Sequence, residues 1–105
     1  FYAEKGRGAF LNDRRIIASK RDKFEGAMLV SGNPRYTTTT EMQAFAMFEN
    51  VTHSNAWVRH TGATALDLAY IAAGRYDGGW YPRHQPWDVA AGILLAEEAG
   101  AVVTQ

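Results

Sequence analysis

The chain has 105 residues, the size of one small domain, and its 47% hydrophobic and 12% aromatic content excludes wholesale disorder. Its 11 basic and 11 acidic side chains cancel, so no bulk field exists to hold nucleic acid or a membrane surface. The absence of cysteine excludes a disulfide framework, a thiolate metal site and a cysteine nucleophile, and it fits a reducing compartment. No apolar run approaches the roughly 18–20 residues that a membrane span needs.

No linker or repeat divides the chain, and we therefore predict one domain over residues 1–105. The chain opens at Phe1 with neither an initiator methionine nor a signal-peptide pattern, and it stops at Gln105 in the middle of a strand-like run. Both features indicate a domain that belongs to a longer protein.

The first 17 residues alternate short apolar runs with two turn signals, Gly6-Arg7-Gly8 and Asn12-Asp13. This pattern predicts a small antiparallel meander. The polar stretch Asp22–Gly26 that follows predicts a loop.

A different pattern begins at Ala27. Ala27–Ser31 is a continuous apolar run, typical of a strand buried on both faces, and Gly32-Asn33-Pro34 ends it. A helix is predicted from about Thr39 to Glu49. The residues expected on its apolar face are Met42, Phe45 and Ala46.

A strand and a second helix come next. Asn55–His60 predicts a strand, and we expect Trp57 there and Trp80 in the following strand to pack in the core. Gly62–Ala73 predicts a helix, and Gly74 fits its C-terminal end. The expected apolar face of this helix is Leu66, Ala69, Tyr70 and Ala73.

The last third of the chain repeats the alternation. Asp77–Tyr81 predicts a short strand, and Pro86–Ala99 predicts a third helix that ends at Gly100. Ala101–Thr104 predicts a last strand. Alternating strands and helices predict an α/β fold, a layered sheet with flanking helices.

Asp88 is the first candidate for chemistry, because it is a carboxylate in the first turn of a predicted helix that is otherwise nearly all apolar. One interpretation is that Asp88 only complements the positive end of its own helix. The alternative is that it is a rigidly held oxygen ligand for Mg²⁺, which proteins bind through a few carboxylates plus substrate phosphate. One carboxylate does not make such a site, so its partners would have to lie outside this chain.

Two further segments could bind a ligand. Arg59–Ala65 opens a helix with small residues directly after a strand, where free backbone N–H groups can donate to a hydroxyl or an anion. The alternative there is tight helix–sheet packing through Gly62 and Ala63. Ser31–Pro34 ends the predicted central strand and is either a plain turn or part of a ligand site.

Taken together, the segments resemble the inositol monophosphatase family of Mg²⁺-dependent sugar phosphatases. They follow the family's order over nearly the whole chain, and Trp-Asp-x-Ala-Ala-Gly followed by Glu-Ala-Gly is the most specific element. The matching segments are Ala3–Asn12, Gly62–Gly74 with its Ala65-Leu66-Asp67-Leu68-Ala69 run, Asp77-Gly78, Pro86–Gly92 and Glu98–Gly100.

The resemblance implies that residues 1–105 form the C-terminal half of a layered α/β/α/β/α fold, with residues 1–17 as a small antiparallel extension. The family's N-terminal half brings a Glu, an Asp-Pro-x-Asp-Gly-Thr-type loop and a Thr that helps activate water, and none of these is found in this chain. The resemblance also implies a homodimer. We expect a cytoplasmic protein without a nucleic-acid or membrane partner.

The resemblance assigns site residues by position. Asp88 matches the Asp of the Trp-Asp element and would ligate one catalytic Mg²⁺. Gly62, Ala63 and Thr64 match the helix start whose backbone helps to hold the sugar. Beyond the metal ligand, no catalytic residue is expected in this chain.

Tyr81 is a departure from the family pattern, which often has a Glu seven residues before the metal Asp that hydrogen-bonds a substrate hydroxyl. Tyr81 can still make such a hydrogen bond, but it brings no charge. We therefore expect Tyr81 to contact the substrate and leave its identity open. The family's substrates include inositol phosphate, fructose bisphosphate, adenosine phosphosulfate derivatives and histidinol phosphate.

The implied function of the whole protein is Mg²⁺-dependent hydrolysis of a phosphate monoester of inositol or a related sugar or alcohol, and the 105-residue chain alone is expected to be inactive. The alternative is a non-catalytic regulatory or binding lobe with the same fold. The absence of Glu at position 81 favours this alternative, whereas the presence of Trp87-Asp88 opposes it.

Overall fold

The computed structural model describes residues 1–32, 46, 48–81 and 86–104. The chain opens with strands β1 (Tyr2–Glu4), β2 (Gly8–Leu11) and β3 (Arg14–Ile16), which pair antiparallel in that order. Asn12 and Asp13 both take positive φ, 49° and 65°, as the tightest hairpin turns require. The predicted meander is therefore confirmed.

A parallel sheet forms around β4 (Met28–Ser31), with β5 (Trp57–Arg59) on one side and β6 (Gly78–Trp80) on the other. A strand with neighbours on both sides and helices over both faces must be apolar throughout. This constraint explains the continuous apolar run at Ala27–Ser31 and confirms the strand predicted there.

Three helical segments accompany this sheet in the described residues: α1 over 48–53, α2 (Thr64–Ala72) and α3 (Pro86–Glu98). Most of the helix predicted at 39–49, including Met42 and Phe45, lies outside the described residues. The described helix runs past the predicted end at Glu49, because no residue that stops a helix occurs before Asn55, which takes φ 64°. Its buried residue is Val51, whereas Ala46, expected on the apolar face, is exposed.

Helices α2 and α3 end in the same way. Gly74 has φ 77° and donates its N–H to the carbonyl of Ile71. The N–H of the next residue, Arg75, donates to the carbonyl of Tyr70. This pair of hydrogen bonds satisfies carbonyl oxygens that have no partner within the last turn of the helix. Glycine takes the left-handed conformation that this arrangement requires without strain. Gly100 ends α3 with the same two bonds, so both predicted helix ends are confirmed.

The elements stack in layers, with α2 and α3 between the meander and the parallel sheet, and α1 on the sheet's other face. The cluster under the meander consists of Ala9, Ala18, Ala69, Ala72, Leu95 and Ala99. The cluster under α1 consists of Ala27, Leu29, Val51 and Ala56, with Val58 and Trp80 packed against it. Successive residues of a strand point to opposite faces, and Leu29 accordingly lies under α1 while Val30 lies near Ile71 of α2.

Two glycines let neighbouring elements pack closely, β6 against β4 within the sheet and α3 against α2 within the helical layer. A Cβ at Gly79 would lie 2.6 Å from the carbonyl oxygen of Val30. A Cβ at Gly92 would lie 2.5 Å from the Cβ of Leu68. Side chains larger than hydrogen therefore do not fit where β6 meets β4 or where α3 meets α2.

Three sequence expectations are wrong. Residues 101–104 form no strand, because a strand needs a paired neighbour and none lies beside them in the described chain; Val102 is 89% exposed. Trp57 is 68% exposed on β5, which pairs on one side only within the described sheet, whereas Trp80 packs as expected. Leu66 is 46% exposed, because the buried face of α2 contains Asp67 instead.

Asp77 joins the amino ends of the parallel strands. Its carboxylate accepts hydrogen bonds from the Ser19 hydroxyl (2.5 Å) and the Met28 N–H (2.8 Å), and it lies 3.4 Å from the Arg21 guanidinium. Partial burial opposes its ionisation, but these hydrogen bonds and the Arg21 charge outweigh that effect and lower the pKa of Asp77. The charged carboxylate therefore contributes to folding.

We expect Asp77→Asn to lower the free energy of unfolding of the whole protein by about 1–2 kcal/mol near neutral pH, because an amide NH₂ replaces one accepting oxygen. The contribution of the wild-type carboxylate is complete above its ordinary pKa of 3.8 and is lost as pH falls through the lower folded-state value. Melting temperatures measured from pH 7 to pH 3 should therefore converge at the acid end. Asp22→Asn, at an exposed aspartate, is the control, and a gap that stays constant with pH would contradict the charge argument.

Gly92→Ala should destabilise the protein by about 1–3 kcal/mol, because the new methyl group overpacks the contact with Leu68. Urea unfolding measures the loss. Leu68→Ala removes the Cδ1 and Cγ contacts at 2.6 and 3.1 Å but keeps the Cβ, so it relieves part of the overpacking, and the double variant should be somewhat more stable than the sum of the two single losses predicts. Strict additivity would show that α2 and α3 do not meet at these two residues.

Candidate functional site

The carboxyl ends of the three parallel strands lie at one edge of the sheet, and this edge carries the predicted binding segments. β4 ends at Ser31, β5 at Arg59 and β6 at Trp80. Ligands of open parallel sheets bind beyond such ends. The residues that immediately follow β5 and β6 are therefore the candidates.

The segment after β5 turns directly into α2. Ala63 is the N-cap residue, and its methyl group cannot accept hydrogen bonds from the amides of the first turn. Thr61, Gly62 and Ala63 are exposed, and Thr64 is half-buried. Because the first amides of an α-helix lack partners within the helix, this start presents donors at the carboxyl edge of the sheet. The residues Gly62, Ala63 and Thr64 thus lie where a bound hydroxyl or anion is expected.

Tyr81 follows β6 directly and is half-buried. Its ring packs against Gly32, where a Cβ would lie 3.2 Å from the Tyr81 Cδ1. Burial and the nearby negative charge of Asp67 raise the pKa of Tyr81 above its ordinary value. The phenol is therefore a neutral group at physiological pH.

Asp67 is the residue that sequence reasoning missed. It is only 3% exposed, and its Oδ1 accepts a hydrogen bond of 2.6 Å from the hydroxyl of Thr61. The available signal was an acid inside the apolar run Ala65–Ala69, combined with a hydroxyl just before the helix. A buried carboxylate needs donors, and the Thr61 hydroxyl supplies one.

Asp88 occupies the first turn of α3, where the helix N-terminus favours a negative charge, and it is exposed next to an exposed Trp87. Five peptide links separate Tyr81 from Pro86, so the start of α3 lies within about 19 Å of Tyr81. The structure thus places the start of α2 and Tyr81 at the carboxyl edge of the sheet, and Asp88 at the start of the helix that follows.

The described residues could supply part of a metal site but not a complete set of ligands. None of them form a group of three or more His, Asp or Glu side chains able to hold an ion. The oxygen chemistry and exposure of Asp88 suit one ligand of a hard cation such as Mg²⁺. The remaining ligands would have to come from outside the described residues.

A cleft of about 550 Å³ lies at the opposite edge of the sheet, near the amino ends of β4 and β6. Acids and bases alternate around it, and Asp77 already accepts hydrogen bonds from the chain itself. It is a surface depression over a structural contact, and the carboxyl edge is the better candidate site. Its lining residues are Ser19, Arg21, Asp22, Lys23, Glu25 and Asp77.

Among the described helices, no segment is both long enough and apolar enough to cross a membrane.

Two curated proteins are similar to this chain over nearly its whole length. The chain is 45% identical over 106 aligned residues to a protein of Pseudomonas aeruginosa named Nus factor SuhB, with 99% of this chain and 39% of the relative covered. It is 41% identical to an inositol-1-monophosphatase of Rhizobium meliloti, with 95% of this chain and 38% of the relative covered.

Solved structures show the same fold. The extragenic suppressor protein suhB of Bartonella henselae superposes with a TM-score of 0.85 at 44% identity, over 93% of this chain and 37% of that one. An inositol monophosphatase of Anabaena superposes with a TM-score of 0.80 at 39% identity, over 93% of this chain and 40% of that one.

The α/β fold expected from the sequence is therefore confirmed, and the chain spans about two fifths of the length of the curated relatives that it matches. The family model of the inositol monophosphatases matches all of residues 1–105. The chain belongs to the inositol monophosphatase family.

Proposed function

We propose that the whole protein carrying this chain is a Mg²⁺-dependent phosphomonoesterase that acts on a phosphate of inositol or a related sugar or alcohol. The observation that carries this proposal is Asp88, an exposed carboxylate in the first turn of α3, within the Trp-Asp-x-Ala-Ala-Gly element. Relatives named inositol-1-monophosphatase support the reaction class.

In this proposal the chain supplies one metal ligand and one side of the substrate pocket. Mg²⁺, when bound, would polarise the phosphate and favour formation of the attacking hydroxide. Asp88 would hold the ion, and the amides at Gly62–Thr64 would orient the substrate alcohol at the uncapped start of α2. The resemblance assigns the remaining ligands to an N-terminal half outside this chain, with residues 1–105 as the C-terminal domain.

Tyr81 bears on the choice of substrate. Its phenol is neutral and half-buried, so it adds shape and a hydroxyl to the pocket but no charge. A panel of inositol 1-phosphate, fructose 1,6-bisphosphate, histidinol phosphate and an adenosine phosphosulfate derivative, assayed with the whole protein by phosphate release, would identify the preferred alcohol. No Mg²⁺-dependent release from any of the four would count against the proposal.

The resemblance also supports a homodimeric, cytoplasmic protein. Size-exclusion chromatography with light scattering on the whole protein tests the dimer, and fractionation of the source cells tests the location.

A second candidate function is a non-catalytic regulatory or binding lobe. Tyr81 in place of the family's usual Glu supports it, and so does the name Nus factor for a relative that is 45% identical. The upstream sequence discriminates between the two candidates, since a catalytic member must contain the acidic loop of the N-terminal half.

Asp88→Asn in the whole protein should lower turnover at least a hundredfold, because metal-borne stabilisation of the reacting oxygens is worth several kcal/mol at about 1.4 kcal/mol per tenfold. The fold should remain, since Asn keeps the size of the side chain and also suits a helix start. Steady-state kinetics and melting temperature are measured on the same preparations. Glu97→Gln, at an exposed acid near the other end of α3, is the matched control.

Near-normal turnover and Mg²⁺ dependence in a folded Asp88→Asn protein would leave Asp88 as an ordinary first-turn acid and remove the metal role.

The isolated 105-residue chain should release no phosphate above background and should bind Mg²⁺ too weakly to saturate at millimolar concentration, because one carboxylate supplies too few oxygen ligands. Circular dichroism verifies that the chain is folded, and calorimetry measures Mg²⁺ binding. Mg²⁺-dependent turnover by this chain alone would overturn the assignment of the other ligands to the rest of the protein.

A further inference from the structure

The last residue of α3 is hydrogen-bonded to the meander. The N–H of Gly8, at the start of β2, donates to Oε1 of Glu98 at 2.8 Å, across 90 residues of sequence. Directly after the helix, the carbonyl of Ala99 accepts from the Ala18 N–H at 2.9 Å. Two directed contacts from the meander side therefore hold the C-terminal end of α3.

The backbone at Gly8 is suited to the contact with Glu98. Gly8 has φ 90°, a left-handed value that other residues adopt only with strain. A Cβ at this position would also clash with the guanidinium of Arg15 from β3. The turn between β1 and β2 thus presents a bare amide, and its partner is a carboxylate from a different layer of the fold.

The apolar packing between the meander and the helices leaves the direction of α3 weakly determined. Five of the six residues in the cluster under the meander are alanines, and the sixth is Leu95 of α3. Methyl groups form only shallow ridges and grooves, so they resist a tilt of the helix less than long side chains do. A directed hydrogen bond is then the feature that distinguishes one tilt from another.

A close contact with α2 holds α3 nearer its start. A Cβ at Gly92 would lie 2.5 Å from the Leu68 Cβ, so the two helices cannot approach further at this point. One such point fixes the position of a helix but not the direction of its axis. Glu98 lies six residues beyond Gly92, about 9 Å along the axis, and supplies the second point.

Asp88 lies on the other side of Gly92, four residues or about 6 Å away along the axis. A tilt about Gly92 that moves Glu98 by about 1 Å would therefore move Asp88 by roughly 0.7 Å in the opposite direction. Mg²⁺ requires near-ideal octahedral geometry, with ligand distances held to about 0.2 Å. A small tilt is thus enough to weaken the binding of a cation at Asp88.

We propose that Glu98 is a positioning residue for Asp88: its hydrogen bond to the β1–β2 turn sets the direction of α3 and so the place of the carboxylate in the first turn. This inference rests on the proposed function for the metal role of Asp88. The hydrogen bond to Gly8 and the contact at Gly92 do not depend on that role.

The first test measures the Mg²⁺ concentration that gives half-maximal phosphate release by the whole protein. Glu98→Ala should raise it about fivefold and keep turnover at saturating Mg²⁺ within about threefold of wild type, because the ion is held less well while the chemistry is intact. Glu98→Gln should stay within about twofold, since its amide oxygen still accepts from Gly8. Glu97→Ala, at the exposed neighbouring acid, is the matched control and should change neither quantity.

Glu98→Asp is the second variant if Glu98→Ala does not fold. It keeps the charge but shortens the side chain, so it should shift the Mg²⁺ dependence in the same direction. Melting temperatures on the same preparations identify a merely structural role, which would lower the Tm without moving the Mg²⁺ dependence. That result, or a Glu98→Gln protein as impaired as Glu98→Ala, would overturn the positioning role.

Two measurements without substrate separate failure of this inference from failure of the proposed function. Calorimetry on the whole protein should show the same weakening of Mg²⁺ binding in Glu98→Ala. Hydrogen exchange of this variant should be faster over residues 5–10 and also over 87–95, because a helix released at one end opens more often, while residues 64–72 of α2 should not change.

A whole protein that lacks phosphatase activity but shows this exchange pattern would refute the proposed function and support the control of α3 by Glu98. Faster exchange over residues 5–10 alone would overturn the inference whether or not the protein is active.

Discussion

The close packing of α2 side chains against two glycines is the constraint on which the rest of the structure depends. Gly92 of α3 lies against Leu68 of α2, and Gly79 of β6 leaves no room for a Cβ beside Val30 and Ile71. A helix whose side chains meet bare backbone on two sides cannot slide along its axis without a steric clash. The position of its first turn is therefore set by packing that lies well away from that turn.

This packing carries directly into the candidate site. Only four residues lie between the end of β5 and the start of α2, so a fixed α2 fixes the entrance turn at Thr61–Ala63. Asp67 is one turn further along the same helix, and it accepts the Thr61 hydroxyl hydrogen bond that ties this turn to the helix. Small residues at the helix contacts and one buried acid thus place the entrance turn of α2 without a ligand.

The sequence could predict those features that are decided locally. Turn chemistry at Asn12-Asp13, the C-terminal glycines of α2 and α3 and the apolar run of β4 each follow from backbone preferences or burial on both faces. The helix start that carries Asp88 also follows from local signals, Pro86 at the first helical position and an acid in the first turn, whereas the ligand role of Asp88 stays a prediction.

Features that depend on residues far away in the sequence could not be predicted from local patterns. Trp57 has a strand pattern, yet its exposure depends on what covers β5. Residues 101–104 have high strand propensity but no partner strand among the described residues. Asp67 was passed over because helical periodicity favoured Leu66 for the core, and only the position of Thr61 six residues earlier makes a buried acid acceptable. Periodicity ranks apolar residues and takes no account of such donors.

Three aspartates in three environments show how the fold separates structural from chemical roles. Asp77 accepts from Ser19 and Met28 at the amino edge of the sheet, and Asp67 accepts from Thr61 in the interior. In both, hydrogen bonds from the protein replace the hydration that a cation would also have to displace, so neither is disposed to bind one. Asp88 is exposed in the first turn of α3, where the positive end of the helix favours a carboxylate. The fold therefore uses aspartate in its framework at positions 67 and 77, and the metal role is proposed for position 88 alone.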